Sequence, residues 1–382
     1  MAEYNTPDHG PCGSSRRVFL KRIGQGAAAG AVVTMLQEAG AAGAAVSVPP
    51  AGRAGQRVLG KTGLKVSEIG FGGHSWAYAR VPVADGSFRK VTVDEAVEMI
   101  RAGLDMGVNF LDSCTALEES STPGEAIKRL KARDRVIISI RVSHKMKGRK
   151  EDRDEIYKWT ESRLKLWQTE CADLCLLCNS AGDTRQSGYW DMSYCIEALD
   201  KLKQQGKIRY TGFGCHFTPE LFLKAIDQFG DCFDICSLPY NIRHRAAETV
   251  FPAAKKKNLG IITIKPFARG ALLTGRGLKE ADAVGALAGS APAVSLRTDP
   301  HPENAGTDLA RDMISFVLEN PQVDICTCGV HTLGQVQENF SASWTKLTPQ
   351  GRQRLGIAAA TPCPGHAWLE EGWLPGTCSG IT

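Results

Sequence analysis

Between Ser67 and Ala342, short apolar runs alternate with amphipathic segments eight times over. After a first run near Ser67–Gly72 come "VNFLDS", "RVIISIRV", "DLCLLC", "IRYTGFG", "FDICSLPYN", "GIITIKPF" and "VDICTCGV". These runs are β-rich and almost unbroken in apolar residues, the pattern of strands buried on both faces of a parallel sheet. The segments between them carry helical spacing. In "VTVDEAVEMIRAGLDMG", Ala96, Val97, Ile100, Gly103 and Leu104 share one stripe, and Thr92 and Glu95 stand at capping-box spacing. Further helices are expected at Gly124–Lys131, Asp152–Trp167, Ser193–Gln205, after Thr218-Pro219, and at Ala246–Lys257, Asp308–Glu319 and Leu333–Ala342. An α/β chain of eight strand–helix pairs over roughly 250–290 residues predicts a closed (β/α)8 TIM barrel. A doubly wound open sheet would carry a glycine loop after its first strand, and this chain has none there.

The barrel is expected to fill residues 51–345, with a leader and linker at 1–50 and a C-terminal extension at 346–382. An N-terminal β-hairpin turning at Lys61-Thr62-Gly63 precedes the first barrel strand. The stretch Ala283–Gly306, rich in Ala, Gly and Pro without a helical stripe, reads as a lid or insertion over the mouth. The two Trp of "HAWLEEGWLPG" read as packing on the barrel.

In "SSRRVFLKRIGQGAAAGAVVTML", Arg16 and Arg17 precede Phe19, Leu20, Lys21 and a weakly apolar run of small residues. The order resembles the bacterial twin-arginine export signal, which implies the export machinery as a transient partner and a periplasmic or otherwise exported product. Arg pairs are also common in ordinary basic leaders. The apolar part, Ala27–Leu36, is shorter than the ~20 residues that span a bilayer, so no stable membrane insertion is expected. "GQGAAAG" imitates a dinucleotide loop but lacks the strand before it.

A net charge of +5, from 46 basic and 41 acidic residues scattered along the chain, argues against nucleic acid as a partner. Thirteen Cys are many for an exported protein. Cys175, Cys178, Cys236, Cys326 and Cys328 fall inside strand-like runs, where cysteine is mostly a small buried hydrophobe. Cys363 and Cys378 in the tail are the better disulfide candidates, and no metal site is expected.

In such a barrel the reacting groups project from the C-terminal strand ends: Gly72-Gly73-His74, Asp112-Ser113-Cys114, Arg141, Cys178-Asn179, Cys215-His216, Ser237 with Tyr240-Asn241, Lys265-Pro266-Phe267 and Gly329-Val330-His331. Together "LGKTGLKVSEIGFGG", "GVNFLDS", "GKIRYTGFGCHFTPE", "LPYN", "IKPFARGALLTG" and "CGVHTLGQVQEN" resemble the aldo-keto reductases, in that family's order, from about Arg57 to Ala342. The resemblance implies hydride transfer with NADP, NAD being the alternative, through four side chains: Asp, Tyr, Lys and His. Carried over by position, Asp112 keeps the Asp, while the Tyr falls at Leu117, the Lys at Arg141 and the His at Cys178. A leucine donates no proton, and losing a positioned general acid costs a factor of ~10² to 10⁴. Arg141 could stabilise an oxyanion without giving up its proton. His144, His216, Tyr78 and Tyr240 are the alternative proton sources, although each is more often a surface or core residue.

On the cofactor side, "GVHTLGQVQEN" resembles the segment that wraps the adenosine phosphate, with Gly329, Gln335, Glu338 and Asn339 at matching places. "KPFARGALLTG" resembles the loop that straps the pyrophosphate, through Gly270 and its neighbour Arg269. Gly72, Cys215 with His216, and Ser237 fall where the nicotinamide end lies. His331 and Thr332 replace the family's usual Ser, Lys or Arg, which weakens the grip on a 2′-phosphate. The tail lacks a four-cysteine ferredoxin run, so no iron–sulfur cluster is expected. Two further readings stay open: a catalytically inactive barrel that binds a nucleotide or ligand at its mouth, and thiol or metal chemistry on Cys114, Cys178 and Cys215.

Overall fold

The computed structural model describes residues 52–85, 87–114, 120–143, 149–179, 192–215, 219–274 and 308–360. At Ser143, Asn179, Cys215, Arg269, Ala271 and Thr274 it describes the backbone alone. The leader, the stretch 283–306, Leu117, His144, His216, Cys363, Cys378 and the tryptophans of the tail lie outside the described residues.

Two antiparallel strands open the chain, β1 (Gln56–Val58) and β2 (Lys65–Ser67), with a tight turn at Gly60–Thr62 and Gly63 at φ 70°. That left-handed value is cheap for glycine alone, which is why the turn ends there. Eight parallel strands then close on themselves: β3 (Ile69–Phe71), β6 (Phe110–Asp112), β7 (Ile137–Ser143), β8 (Ala172–Asn179), β9 (Ile208–Cys215), β10 (Ile235–Pro239), β11 (Gly260–Ile264) and β12 (Ile325–Cys328). Closure is by the last strand on the first, with Cys326 opposite Ile69 and Cys328 opposite Phe71. The expected barrel and its leading hairpin are therefore both present.

Alternation along each strand divides the core in two. Leu174, Leu176 and Cys178 of β8, with Phe110, Ile235, Ile262 and Ile325, fill the lumen, and Leu59 and Val66 of the hairpin plug its N-terminal end. Cys175 and Leu177 of β8, with Ile138, Ile140, Cys236, Leu238 and Cys326, face outward into the layer shared with the helices. Both faces are thus dry, and each fully buried Leu or Ile contributes about 1.5–3 kcal/mol. The five strand cysteines are all buried free thiols. Burial pushes Cys175, Cys236 and Cys326 up to about 12 and Cys328 well above the usual thiol range.

The helices lie where their stripes put them. One at Val93–Asp105 starts at the expected capping box, with the Thr92 hydroxyl accepting from the Glu95 amide and the Glu95 carboxylate accepting from the Thr92 amide. Three features differ from the sequence reading. A four-residue helix, α1 (His74–Ala77), and a small antiparallel pair, β4 (Val81–Pro82) and β5 (Phe88–Arg89), fill the first strand-to-helix connection. The helix expected over Ala246–Lys257 is divided into a 3-10 turn at Ala246–Thr249 and a helix at Phe251–Lys256, with Pro252, which has no amide hydrogen, at the second start. Pro349–Ala360 forms a further helix, tied by Arg354 to Asp312 on the helix Leu309–Leu318. Among the described residues no helix is long and apolar enough to cross a membrane.

Candidate active site

Asp112 is the last residue of β6 and points into the lumen, where 2% of it is exposed. A carboxylate there must be compensated, because an uncompensated buried charge costs several kcal/mol. Arg141, two residues before the end of β7, supplies the compensation: Nε donates to Asp112 Oδ2 at 2.8 Å and Nη2 lies 2.6 Å from the same oxygen. Ser139, one inward position earlier on β7, donates its hydroxyl to Oδ1 at 2.8 Å. The pair is held from three more sides. The Arg141 amide donates to Ser113 Oγ at 2.8 Å, Nη1 to Cys178 Sγ at 3.4 Å, and Nη2 to Ser237 Oγ at 3.0 Å.

The guanidinium therefore crosses the lumen, from the third barrel strand to the sixth. Between those partners β9 carries Gly212 and Gly214, which let it pack closely on its neighbours. A Cβ on Gly212 would lie 2.4 Å from Leu176 Cδ2, and one on Gly214, whose φ is 150°, would lie 1.9 Å from Ser237 O. Gly72 and Gly73 serve packing as well: added Cβ atoms would meet Cys328 C at 2.9 Å and Ser113 O at 2.1 Å. Gly72 also donates its amide to Cys328 O at 2.7 Å, which seals the first strand to the last. Ser237 is fully buried and partners Arg141.

On the same C-terminal rim, two strands round from β6, β12 ends before Gly329, and the helix α10 (Leu333–Phe340, the tenth of the described helices in chain order) follows. Thr332 caps it, with Oγ1 accepting from the Gln335 amide at 3.2 Å. Gln335 reaches back, its Oε1 accepting from the His331 amide at 2.8 Å. The first amides of a helix have no partner within it, so those of Leu333 and Gly334 face outward. A Cβ on Gly334 would find nothing nearer than Thr332 Oγ1 at 3.9 Å, and one on Gly329 nothing nearer than His74 Cβ at 3.5 Å. A Cβ on Gly270, whose φ is 97° and whose amide donates to Phe267 O at 2.9 Å, would meet nothing within 4 Å. Open glycine backbone beside a capped helix start fits the phosphates of a dinucleotide. Glu338 is exposed, its carboxyl raised by desolvation and by Asp308, whereas Asn339 is buried and donates to Cys328 Sγ at 3.8 Å.

The rim between the last and first strands carries a cluster absent from the sequence reading. His331 Nε2 is 3.2 Å from His74 O, so the ring carries its hydrogen on that nitrogen. The His74 ring meets Tyr78 edge-on at 4.8 Å between centroids, and the Arg80 guanidinium lies 6.0 Å from the Tyr78 centroid. Burial, then the charge of Arg80, push His331 down to about 4. Tyr240, an alternative proton source in the sequence reading, is corrected by its position: it lies outside the lumen, stacked near Phe316, with its hydroxyl donated to Glu248 Oε1 at 2.7 Å.

What this mouth can do chemically is limited by its charge. Asp112 and Arg141 cancel, and a guanidinium keeps its protons at any ordinary pH. The pair can orient and stabilise a developing oxyanion, but the proton has to come from elsewhere.

The chain is 28% identical over 296 residues to L-galactose dehydrogenase of Arabidopsis thaliana, covering 75% of this chain and 87% of that one. It is 27% identical over 237 residues to the aldo-keto reductase YhdN of Bacillus subtilis, covering 58% and 64%. Among solved structures, the apo form of aldo-keto reductase AKR11C1 from Bacillus halodurans superposes with a TM-score of 0.54 at 22% identity, over 81% of this chain and 98% of that one. That likeness supports the same closed barrel. The Aldo/keto reductase family model matches residues 68–357, from the end of the leading hairpin to the last helix, and the chain belongs to that family.

Proposed function

We propose that the protein is an NADP(H)-dependent oxidoreductase, accepting NAD(H) as well, that interconverts a carbonyl and an alcohol in an exported barrel. Asp112, Arg141 and Cys178 occupy the strand ends where the family keeps Asp, Lys and His, and Leu117 falls at the tyrosine's place. The observation that carries this reading is the buried Asp112–Arg141 pair, fixed by Ser139 and Ser237, in the lumen beside an open glycine and helix-start rim. A carboxylate and a guanidinium kept together out of water are costly as mere stability elements, and their place at the C-terminal strand ends is where barrel chemistry occurs.

A nicotinamide nucleotide, when bound, supplies or accepts the hydride. The Leu333 and Gly334 amides and the Gly270 loop would hold its phosphates. Arg141 would orient the substrate oxygen and stabilise negative charge on it. Neutral His331 offers a 2′-phosphate no cation at the start of α10, which is why NAD(H) should compete. A relative named L-galactose dehydrogenase favours a sugar hydroxyl or aldehyde as the substrate class. The arginine pair of the leader favours twin-arginine export, with the nucleotide taken up before the chain leaves the cytoplasm.

The test is fluorescence titration with NADPH and NADH, followed by turnover of a panel of aldehydes and aldoses. Saturable binding with turnover supports the reading. Binding without turnover supports an inactive nucleotide-binding barrel, and no binding of either nucleotide refutes both. The triple variant Leu117→Tyr, Arg141→Lys, Cys178→His should gain aldehyde reduction if the positions correspond.

A further inference from the structure

We infer that Tyr78 is the proton donor and acceptor of this site, a phenol brought in from the first strand-to-helix connection. The inference rests on the oxidoreductase reading above and adds the group which that reading lacks.

The chain has 7 tyrosines, five of them among the described residues. Four of those five are placed away from the mouth. Tyr157 lies on the helix Glu151–Leu166 under Lys201, 5.5 Å from its ring centroid. Tyr194 lies on the helix Ser193–Gln204, facing solvent. Tyr210 is near the start of β9, paired with Leu174 in the plugged half of the lumen. Tyr240 is committed to Glu248 outside the barrel. Tyr78 alone of the five stands at the C-terminal rim. It is the C-cap residue of α1, which begins two residues after Gly72 at the end of the first strand. Its ring packs on Ala77 and on Cys114, and Cys114 is two residues past Asp112. The phenol therefore shares a sector of the mouth with the Asp112–Arg141 pair.

Its surroundings suit proton transfer. Among the described residues a cation, Arg80, lies 6.0 Å from its ring centroid, and a cation favours the phenolate left behind. From its own helix it meets the His74 ring and from the exit of β6 Cys114, and His74 O is in turn hydrogen-bonded to the neutral His331 from beyond β12. Tyr78 is half-buried, so the phenolate can be reprotonated from water.

In the reducing direction the carbonyl carbon gains a hydride with its electron pair. The carbonyl π pair moves onto oxygen, beside Arg141, and the oxygen takes the proton of Tyr78 Oη. Water then returns a proton to the phenolate. Oxidation of the alcohol runs the same steps backwards.

The test is Tyr78→Phe in the full chain, because phenylalanine keeps the contacts with His74, Cys114 and Arg80 and removes only the hydroxyl. Nucleotide affinity and melting temperature are expected to match wild type. Turnover is expected to fall ~10² to 10⁴-fold, and the pH profile of kcat/KM to lose its alkaline limb. A Tyr78→Phe enzyme with wild-type rate and pH profile overturns the inference alone. A wild type that binds nucleotide and turns nothing over overturns the inference and the reading beneath it together.

Discussion

Replacing Arg141 by Leu tests whether the lumen pair is as tightly coupled as its geometry requires. The change removes the two contacts to Asp112 Oδ2 at 2.8 and 2.6 Å, the contact to Ser237 at 3.0 Å and that to Cys178 at 3.4 Å. Asp112, 2% exposed, then keeps Ser139 as a neutral donor and no cation. Removing one member of a buried pair typically costs about 3–5 kcal/mol. Unfolding entropy of ~2.1 cal/mol/K per residue over about 300 residues converts that loss into roughly 5–8 °C of melting temperature. The double variant Asp112→Asn, Arg141→Leu should be more stable than Arg141→Leu alone at pH 8, because the neutral amide leaves no charge to compensate. Scanning calorimetry of the three proteins at pH 8 measures this. A single variant within about 1 °C of wild type, or a double variant no more stable than the single, would refute the coupling.

Gly73→Ala is expected to lose soluble expression or to melt far below wild type, since its Cβ would sit 2.1 Å from Ser113 O and 2.2 Å from Ser113 C, both backbone atoms that cannot swing aside; a normal melting curve for this variant would contradict the seam between β3 and β6. His331, held down to about 4 by burial and Arg80, stays neutral in the folded chain while the unfolded chain takes up a proton below about 6.5. Stability should therefore be complete above that value and decline as the pH falls towards 4, and His331→Gln should flatten this part of the profile in denaturant titrations; a variant as acid-sensitive as wild type would count against it.

The barrel was legible because both faces of its strands are dry, which writes them into the sequence as unbroken apolar runs such as "DLCLLC" and "GIITIKPF". The capping box at Thr92 and Glu95 was legible for an equally local reason. What stayed hidden is either too short to carry a period or too distant to be read from spacing. Four residues of α1 and two each of β4 and β5 show no periodicity, yet they bring Tyr78 to the rim. Arg141 was visible at the end of a strand, but its reach to Ser237, 96 positions away, depends on how far round the barrel the sixth strand lies. The outward position of Tyr240 is also written in the sequence. Ser237 faces the lumen, Leu238 and Tyr240 alternate outward with Cys236, and period two along β10 puts the phenol with the helices.

One consequence joins the hidden parts to the visible ones. A lysine partner for Asp112 could exchange its proton with a neighbouring hydroxyl, whereas a guanidinium cannot. Arg141 thus fixes the lumen at zero net charge and confines it to orienting and stabilising the substrate oxygen. Any proton that crosses must enter from a group outside the pair, and the neutral, dry lumen makes a nearby rim position the only short route. Burial keeps His331 uncharged, with the cation on that rim, Arg80, adding to the effect, and on the proposed mechanism the same cation favours the phenolate of Tyr78. On the mechanism proposed above, charge stabilisation in the lumen and proton transfer on the rim would let an aldo-keto reductase barrel dispense with a tyrosine after its second strand, given a first strand-to-helix connection that folds as α1 with the Tyr78 ring against Cys114.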